Sequence, residues 1–386
     1  HYVAPVCSPT RTGLMTGRCW SRFGVTTPTN DQALPFDTFT MPRALKSAGY
    51  DTALAGKWHL GSLPEQGPNH FGFDHSYGSL AGGVGPYDHF YKQGPFSTTW
   101  HRNGKLLTEQ GHVTDLITDE ACKWISERQA NPFFLYLPYT AVHLPVKEPE
   151  ELLQRVPAGI TDSVARHYAA CLIHLDDSIG RIVAALESAG KRSNTLIVFS
   201  SDNGGSTAEN ADQNYPPDDY PKGRLPGNNQ PYRGEKGSVY EGGIRVAAFA
   251  NWPGKLKPTV LKTPVHIIDW MPTFCHLAGV IAPEDARWDG LNLWPHLTGG
   301  APPAERPLYN VSPGWKSRAL HLGDWKLIEH QKSKDQPSYE LYHLARDPAE
   351  TSDLSQQEPA ILAKLQSALK AISTTDRDRA LPKFRK

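Results

Sequence analysis

What this chain of 386 residues lacks narrows its class first. Lys plus Arg and Asp plus Glu each total 40, so there is no surplus of one sign to grip nucleic acid or an anionic membrane. Any anion recognition must therefore be local. No run of eighteen apolar residues is present, which predicts no transmembrane helix. Five cysteines without close pairing match neither a disulfide framework nor a CxxC zinc site, and the odd count leaves at least one thiol for another use. The chain opens at His1 with no Met, no basic leader and no apolar leader segment. Because Tyr2-Val3-Ala4-Pro5-Val6 reads like the middle of a fold, a cut N-terminus is expected. No internal repeat is visible.

What is present can build a sizeable core. Hydrophobic residues make up 39% and charged residues 21%, which argues against disorder. Short β-rich runs alternate with helical periods through about residue 290, the pattern of an α/β fold. Strands are expected over residues 51–55, 133–137, 195–200 and 246–250. The middle two are almost continuously apolar, as for strands covered on both faces. The clearest helix carries Val164, Tyr168, Cys171, Leu172, Leu175, Ile179, Ile182, Val183 and Leu186 as one stripe, with Gly190 as its stop. Shorter helices are expected at about 42–48, 116–128 and 266–278. From Pro307 the texture changes: residues 318–328 and 339–344 read as antiparallel strands. Ile361, Leu362, Leu365, Leu369 and Ile372 then form one face of a closing helix behind Pro359. This divides the chain into a large unit, residues 1–305, and a smaller sheet-and-helix unit, residues 306–386. Segments 61–102 and 206–232 are too long for plain connections and read as functional walls or lids.

Chemistry-bearing residues cluster just past the expected strand ends, where open α/β sheets place their sites. Gly56-Lys57-Trp58-His59-Leu60-Gly61 follows the first strand and Pro138-Tyr139-Thr140-Ala141-Val142-His143 the second. Ser201-Asp202-Asn203-Gly204-Gly205 follows the third, and Lys236 lies with Glu241-Gly242-Gly243 ahead of the fourth. Singly, each has an ordinary structural reading: a satisfied histidine, a solvated lysine, an Asp-Asn-Gly turn. Together, two lysines, two histidines and an Asp-Asn pair on one rim suit an oxyester and a hard cation.

The most specific pattern is Cys7-Ser8-Pro9-Thr10-Arg11 followed by Thr16-Gly17-Arg18. It resembles the type I sulfatase signature C-x-P-x-R-x-x-x-x-T-G at every fixed position. The strand-end blocks, with His266-Ile267-Ile268-Asp269, Asp289-Gly290 and Gly323-Asp324-Trp325-Lys326, resemble sulfatase blocks in the family's order along nearly the whole chain. Among known members they look most similar to arylsulfatase B and the bacterial polysaccharide sulfatases.

The resemblance implies an alkaline-phosphatase-like α/β fold, a large mixed sheet sandwiched by helices with a smaller C-terminal antiparallel sheet and helix. It implies hydrolysis of a sulfate monoester, on a glycosaminoglycan or another sulfated carbohydrate. In the family the signature Cys is oxidised to formylglycine by a dedicated maturation enzyme, so Cys7 becomes an aldehyde. Its hydrate offers one hydroxyl to attack sulfur and a second to expel sulfate, covalent catalysis with its own exit. By the same resemblance Arg11 and Lys57 hold the hydrate or the sulfate, and His59 removes a proton from it. His143 and Lys236 contact the sulfate and the leaving oxygen. Asp202, Asn203 and the modified Cys7 are implied ligands of Ca²⁺, with Mg²⁺ as the alternative. The family's further Asp-Asp pair lies upstream of the signature, before His1 in this numbering. A periplasmic, secreted or lysosomal location is also implied.

Two other readings remain open at this point: a phosphonate or phosphate ester hydrolase of the same superfamily, and an inactive binder of sulfated glycans. Several lesser features carry less. Asp176-Asp177 reads as a solvated helix face. Tyr87, His89, Phe90 and Tyr91 could stack on a sugar but more often such aromatics pack their own loop down. Asn310-Val311-Ser312 fits the N-glycosylation pattern. Cys19, Cys122, Cys171 and Cys275 read as small hydrophobes.

Overall fold

The computed structural model describes residues 1–386 except 129, 212–213, 217–218, 332–335 and 386. Parts of the expected wall 206–232 therefore lie outside the described residues.

The first residues run straight into the interior. Tyr2 N donates to Val265 O at 2.8 Å and Ile267 N to Tyr2 O at 2.9 Å, while Val3 N donates to Ile244 O at 2.9 Å. This lays residues 1–3 between two other segments and delivers Cys7 to the head of helix α1 (Cys7–Thr16). Pro9 sits in the first turn of α1, where a missing N–H costs nothing, and Gly17 at φ 67° closes the helix by donating to Gly13 O. After α2 (Met41–Ser47) come β1 (Asp51–Lys57), β2 (His75–Ser79), β3 (Trp100–Arg102) and β4 (Lys105–Leu106). Then follow α3 (Val113–Ser126), β5 (Phe133–Tyr136), α4 (Glu150–Leu153) and the long α5 (Ser163–Ser188). Strand β6 (Ile197–Ser200), α6 (Glu241–Ile244), β7 (Ala248–Asn251), α7 (Trp270–Ala278) and α8 (Trp294–Leu297) complete the larger part. The rest is β8 (Leu308–Val311), β9 (Ser317–Leu322), β10 (Trp325–His330), β11 (Ser338–His343) and α9 (Pro359–Ser373).

The five-stranded mixed sheet has the order β4-β3-β2-β1-β5, with β1 parallel to both β2 and β5. Strands β6 and β7 pair antiparallel, and β8 to β11 form a separate antiparallel sheet. This is the mixed α/β fold with a small C-terminal antiparallel sheet that the sequence implied.

Several expectations are corrected. Strands β5 and β6 are half-buried rather than covered on both faces, and among the described residues each has a single paired neighbour. Leu172 of the expected apolar stripe is 48% exposed; α5 buries Val164, Cys171, Ile182 and Leu186 of that stripe, together with Ala170, His174 and Ser178. Ile182 and Leu186 pack with Ile117, Ala121 and Trp124 of α3, while Val164 and Cys171 pack with Val146 and Leu225. Helix α1 and strands β2, β3 and β8 were not anticipated. Their sequences, such as Thr-Arg-Thr-Gly in α1 and His-Ser-Tyr-Gly-Ser in β2, have poor local propensity, so tertiary packing decides them.

One hydrophobic cluster joins the two parts of the chain. Met41, Leu45, Ile268 and Met271 share it with Tyr309, Leu320, Leu327, Leu341, Leu365 and Leu369. The inner face of the C-terminal sheet and α9 therefore belong to the same core as α2 and α7.

Candidate active site

Cys7 is the first residue of α1 and only 2% exposed. Val6 ahead of it is extended and provides no side-chain cap, and no acidic residue lies in the first turn. The helix N-terminus thus directs unneutralised partial positive charge toward position 7. One turn on, buried Arg11 places Nη2 3.2 Å from Asp202 Oδ2, donates through Nη1 to Lys57 O and reaches Tyr136 Oη at 3.5 Å. Burial works against the guanidinium, but Tyr136, Asp202 and Cys7 around it keep it firmly charged. Thr10 Oγ1 donates to Asp202 O at 2.6 Å, so α1 holds the Asp202 turn by both backbone and side chain.

Lys57 ends β1 and is 2% exposed. Burial lowers its pKa to about 8; Cys7 and Asp202 pull it up, while Arg11 and Lys236 push it down. The strand end is tightly set. Lys57 N donates to Pro138 O at 2.8 Å, and a Cβ on Gly56 (φ 135°) would lie 2.3 Å from that same carbonyl. Two residues on, His59 adopts φ 57°, a left-handed conformation that a histidine holds only when its surroundings impose it. His59 N donates to Leu80 O at 3.0 Å and its carbonyl accepts from Ser8 Oγ at 2.9 Å, so the residue just past β2 and helix α1 together hold it. Burial, then Lys57, Arg11, His143 and Lys236, hold the His59 pKa well below its ordinary value. Its Nδ1 is buried without a hydrogen-bond partner among the described residues.

His143 follows β5. Its Nδ1 donates to Leu144 O at 2.6 Å, which fixes the tautomer and leaves Nε2 as the ring's other polar atom. Burial, Lys236 and Lys57 keep this ring neutral as well. Lys236 N donates to Gly205 O at 3.0 Å, and Gly237 N to Pro5 O at 2.8 Å, so the Lys236 turn is strung between the Asp202 turn and the approach to Cys7. Asp202 feels Arg11, Lys57 and Lys236, which overcome burial and hold its carboxyl below the usual range. The structure thus brings Cys7, Arg11, Lys57, His59, His143, Lys236 and Asp202 into one mutually interacting group, with Asn203 beside Asp202.

The donor set can be tested against a hard cation. Asn203 Nδ2 donates to Gly204 O at 2.9 Å, but its Oδ1 is buried without a partner among the described residues. An orphaned carbonyl oxygen next to a carboxylate fits a Ca²⁺ or Mg²⁺ ligand pair. The three-donor cluster of His and Glu side chains among the described residues, His112, Glu148 and His174, sits on other elements.

Sequence reasoning missed the roof of the site. A Cβ on Gly82 would lie 2.5 Å from both Cε1 and Nε2 of His59, and one on Gly83 would lie 3.1 Å from His143 Nδ1 and 2.5 Å from Tyr215 Oη. The run Leu80-Ala81-Gly82-Gly83-Val84-Gly85 carried that signal, since adjacent glycines mark close approach. Also missed was Asn229, whose amide takes Gly205 N at 2.8 Å and donates to Gly205 O at 3.1 Å, bracing the Asp202 turn.

The lesser features resolve individually. His89 stacks on Trp100 at 4.8 Å, Tyr87 meets His112 edge-on and Tyr91 meets Tyr215, so these three rings pack against the fold, while Phe90 is exposed. Asn310 is 2% exposed within β8, which removes it as a glycosylation acceptor. Asp177 pairs with Arg155 on the solvent side. All five cysteines are free thiols, and Cys19, Cys171 and Cys275 are buried. Among the described residues no helix is long and apolar enough to cross a membrane.

Comparison with known proteins gives a consistent result. Residues 1–280 match the family model described as Sulfatase, and residues 234–375 one described as N-sulphoglucosamine sulphohydrolase, C-terminal. Arylsulfatase J of Mus musculus is 30% identical over 97% of this chain and 69% of its own length. N-acetylgalactosamine-6-sulfatase of Mus musculus is 30% identical over 91% of this chain and 73% of its own length. The crystal structure of Ps i-CgsB in complex with k-i-k-neocarrahexaose superposes with a TM-score of 0.82 at 30% identity, covering 97% of this chain and 84% of that one.

Proposed function

Given that this chain belongs to the sulfatase family and is a sulfuric ester hydrolase, we propose that it cleaves a sulfate monoester carried on a carbohydrate, at a formylglycine made from Cys7. The observation that carries this is the burial of Cys7 at an uncapped helix start beside Arg11 and Lys57, which interact in turn with His59, His143 and Lys236. The carbohydrate is supported by the kind of relative: one acts on N-acetylgalactosamine sulfate by its name, and another is seen with a neocarrahexaose.

The chain's own groups divide the work. Arg11, fixed by Asp202 and the Lys57 carbonyl, and Lys57 itself hold the group at position 7. His59, kept neutral, is the base that takes a proton there. Lys236 and His143 grip the sulfate. Burial and then the neighbouring cations depress both imidazoles; the anion offsets the cationic part, so His143 gains proton affinity as substrate arrives and can protonate the leaving oxygen. Water adds across the S–O bond overall, giving the free alcohol and hydrogen sulfate. The aldehyde hydrate would supply the attacking hydroxyl. A hard cation held by Asp202, Asn203 and position 7 would polarise the sulfate oxygens. Maturation by a formylglycine-forming enzyme and a periplasmic, secreted or lysosomal location complete the proposal. The division of the chain at 305/306 is proposed as one of topology, with the core shared across it.

Two measurements test the reading. Turnover of an aryl sulfate and an aryl phosphate at equal concentration should favour sulfate, and Cys7→Ala should abolish it; a preference for phosphate would overturn the assignment. Peptide mass at position 7 should show a loss of about 18 Da where the thiol has become the aldehyde of a covalent catalyst.

A further inference from the structure

The segment that leaves His143 is tied down by a histidine cluster outside every sequence motif. Val146 N donates to Asn210 Oδ1 at 2.7 Å, and Asn210 Nδ2 returns a bond to Val146 O at 3.2 Å. Next comes Glu148, 5% exposed, whose N donates to His167 Nδ1 at 2.9 Å. Its carboxylate then meets two rings, Oε2 at 2.7 Å from His174 Nδ1 and Oε1 at 3.5 Å from His112 Nε2. On its far side, His174 Nε2 lies 3.3 Å from Asp115 Oδ2. Asp115 belongs to α3 and His174 to α5, so one imidazole joins both helices to the segment that carries His143.

Protonation follows from the partners. His112 Nδ1 accepts from Thr114 N at 3.2 Å to cap α3, which puts its proton on Nε2, facing Lys147 O at 3.2 Å. A ring so committed has no lone pair on Nε2 to give a metal, so a proton network explains this cluster better than an ion. His174 has a carboxylate oxygen at each nitrogen, and only the doubly protonated ring donates to both.

We propose that His174 is a positioning residue for His143: as an imidazolium it bridges Glu148 and Asp115 and thereby holds the 143–148 segment in its working position. The proposal rests on the reading of His143 as a sulfate-gripping residue. The surrounding charges are consistent with it. Arg181 Nη1 sits 3.1 Å from Asp115 Oδ1 and also pairs with Asp119, while Cys171 gives its thiol hydrogen to Glu148. Lys147 and His167 flank Glu148 on the loop and helix sides, and Asp177 lies one turn along α5. Burial opposes the charged ring, but Glu148 and Asp115 outweigh it and raise its pKa above the ordinary 6.5. The sign follows: anchoring is complete below 6.5 and is lost as pH rises through the raised value.

The test is the pH dependence of kcat and KM for an aryl sulfate in wild type, His174→Gln, Asp115→Asn and His143→Ala. With His174→Gln, kcat should fall about tenfold at acid pH, the scale of a small misplacement of a reacting group. The deficit should shrink toward none at alkaline pH, where the wild type has lost the same imidazolium. Asp115→Asn should move the wild-type decline to lower pH. A deficit constant across pH reflects a merely structural role and overturns the proposal, as does an unchanged decline in Asp115→Asn. If His174→Gln does not fold, the Asp115→Asn shift decides alone, because that variant leaves the Glu148 contact in place. His143→Ala should lose kcat at every pH; full activity there would instead refute the role given to His143.

Discussion

Cationic crowding is the central fact at the scale of single residues. Burial first, and then the cations Arg11, Lys57 and Lys236, lower the proton affinity of Lys57, His59 and His143, with Asp202 as the nearby carboxylate. Such a site is pre-set for an oxyanion, because charge stabilisation needs no reorganisation when the anion arrives. Two predictions belong here. Gly82→Ala places a Cβ 2.5 Å from the tip of the His59 ring, so the ring must turn away from its place in the site to make room. We expect kcat to fall by about 10- to 100-fold, the cost of displacing a reacting group by about 1 Å, while circular dichroism stays that of the native fold. Asn203→Ala removes the orphaned Oδ1. Ca²⁺ should raise the wild-type melting temperature by mass action and raise that of the variant less at the same concentration. Equal shifts in the two proteins would remove Asn203 as a ligand.

At the scale of elements, the site is made where chain segments end rather than within them. Lys57 closes β1, His143 and the Asp202 turn follow β5 and β6, and Cys7 opens α1. The polar blocks past the strands were legible because strand periodicity and Gly-rich punctuation are local signals. Helix α1 was not, since its Thr-, Gly- and Pro-containing sequence has weak propensity and is made helical by burial on nearly every side. The glycines at 82 and 83 signal a close approach but not its partner His59, and His174 against Glu148 is a long-range contact that no local spacing encodes. Asn210 is a case of the same kind, lying 64 residues from the Val146 backbone it clamps. It also donates to Pro221 O at 2.9 Å, so one amide joins the His143 segment to the 206–225 loop. Asn210→Ala leaves Val146 N and O unsatisfied in a buried place, at about 1–3 kcal/mol for each lost partner. We expect a lower denaturant midpoint and reduced kcat together. A stability loss with full activity would show that the clamp does not transmit to His143.

Across the whole molecule, the smaller C-terminal sheet reaches into the site's foundations through a buried charge cluster. Lys326 of β10 is fully buried, with Nζ 2.9 Å from Glu241 Oε1 and 2.8 Å from Glu350 Oε1. Glu241 also accepts from Tyr2 Oη at 2.7 Å, and its N donates to Glu350 Oε2 at 2.7 Å. Glu241 opens α6, five residues beyond Lys236, and Tyr2 stands five before Cys7. One ammonium thus ties together the C-terminal sheet, the Lys236 turn and the approach to Cys7. Burial pushes the Glu241 carboxyl up, but Lys326 and Tyr2 bring it below its ordinary value, so it contributes stability at neutral pH that fades as pH falls through that lowered value. Lys326→Met keeps the volume and removes the charge, leaving two buried carboxylates facing each other. The expected loss is about 3–5 kcal/mol at neutral pH, the cost of stranding a buried charge. It should be smaller in acid, where both carboxylates are protonated and need no cation. Because Tyr309, Leu320, Leu327, Leu341, Leu365 and Leu369 lie in one core with α2 and α7, the loss should appear as a single unfolding transition moved as a whole. A second, unshifted transition in calorimetry would mean that residues 1–305 fold independently of the sheet that Lys326 comes from.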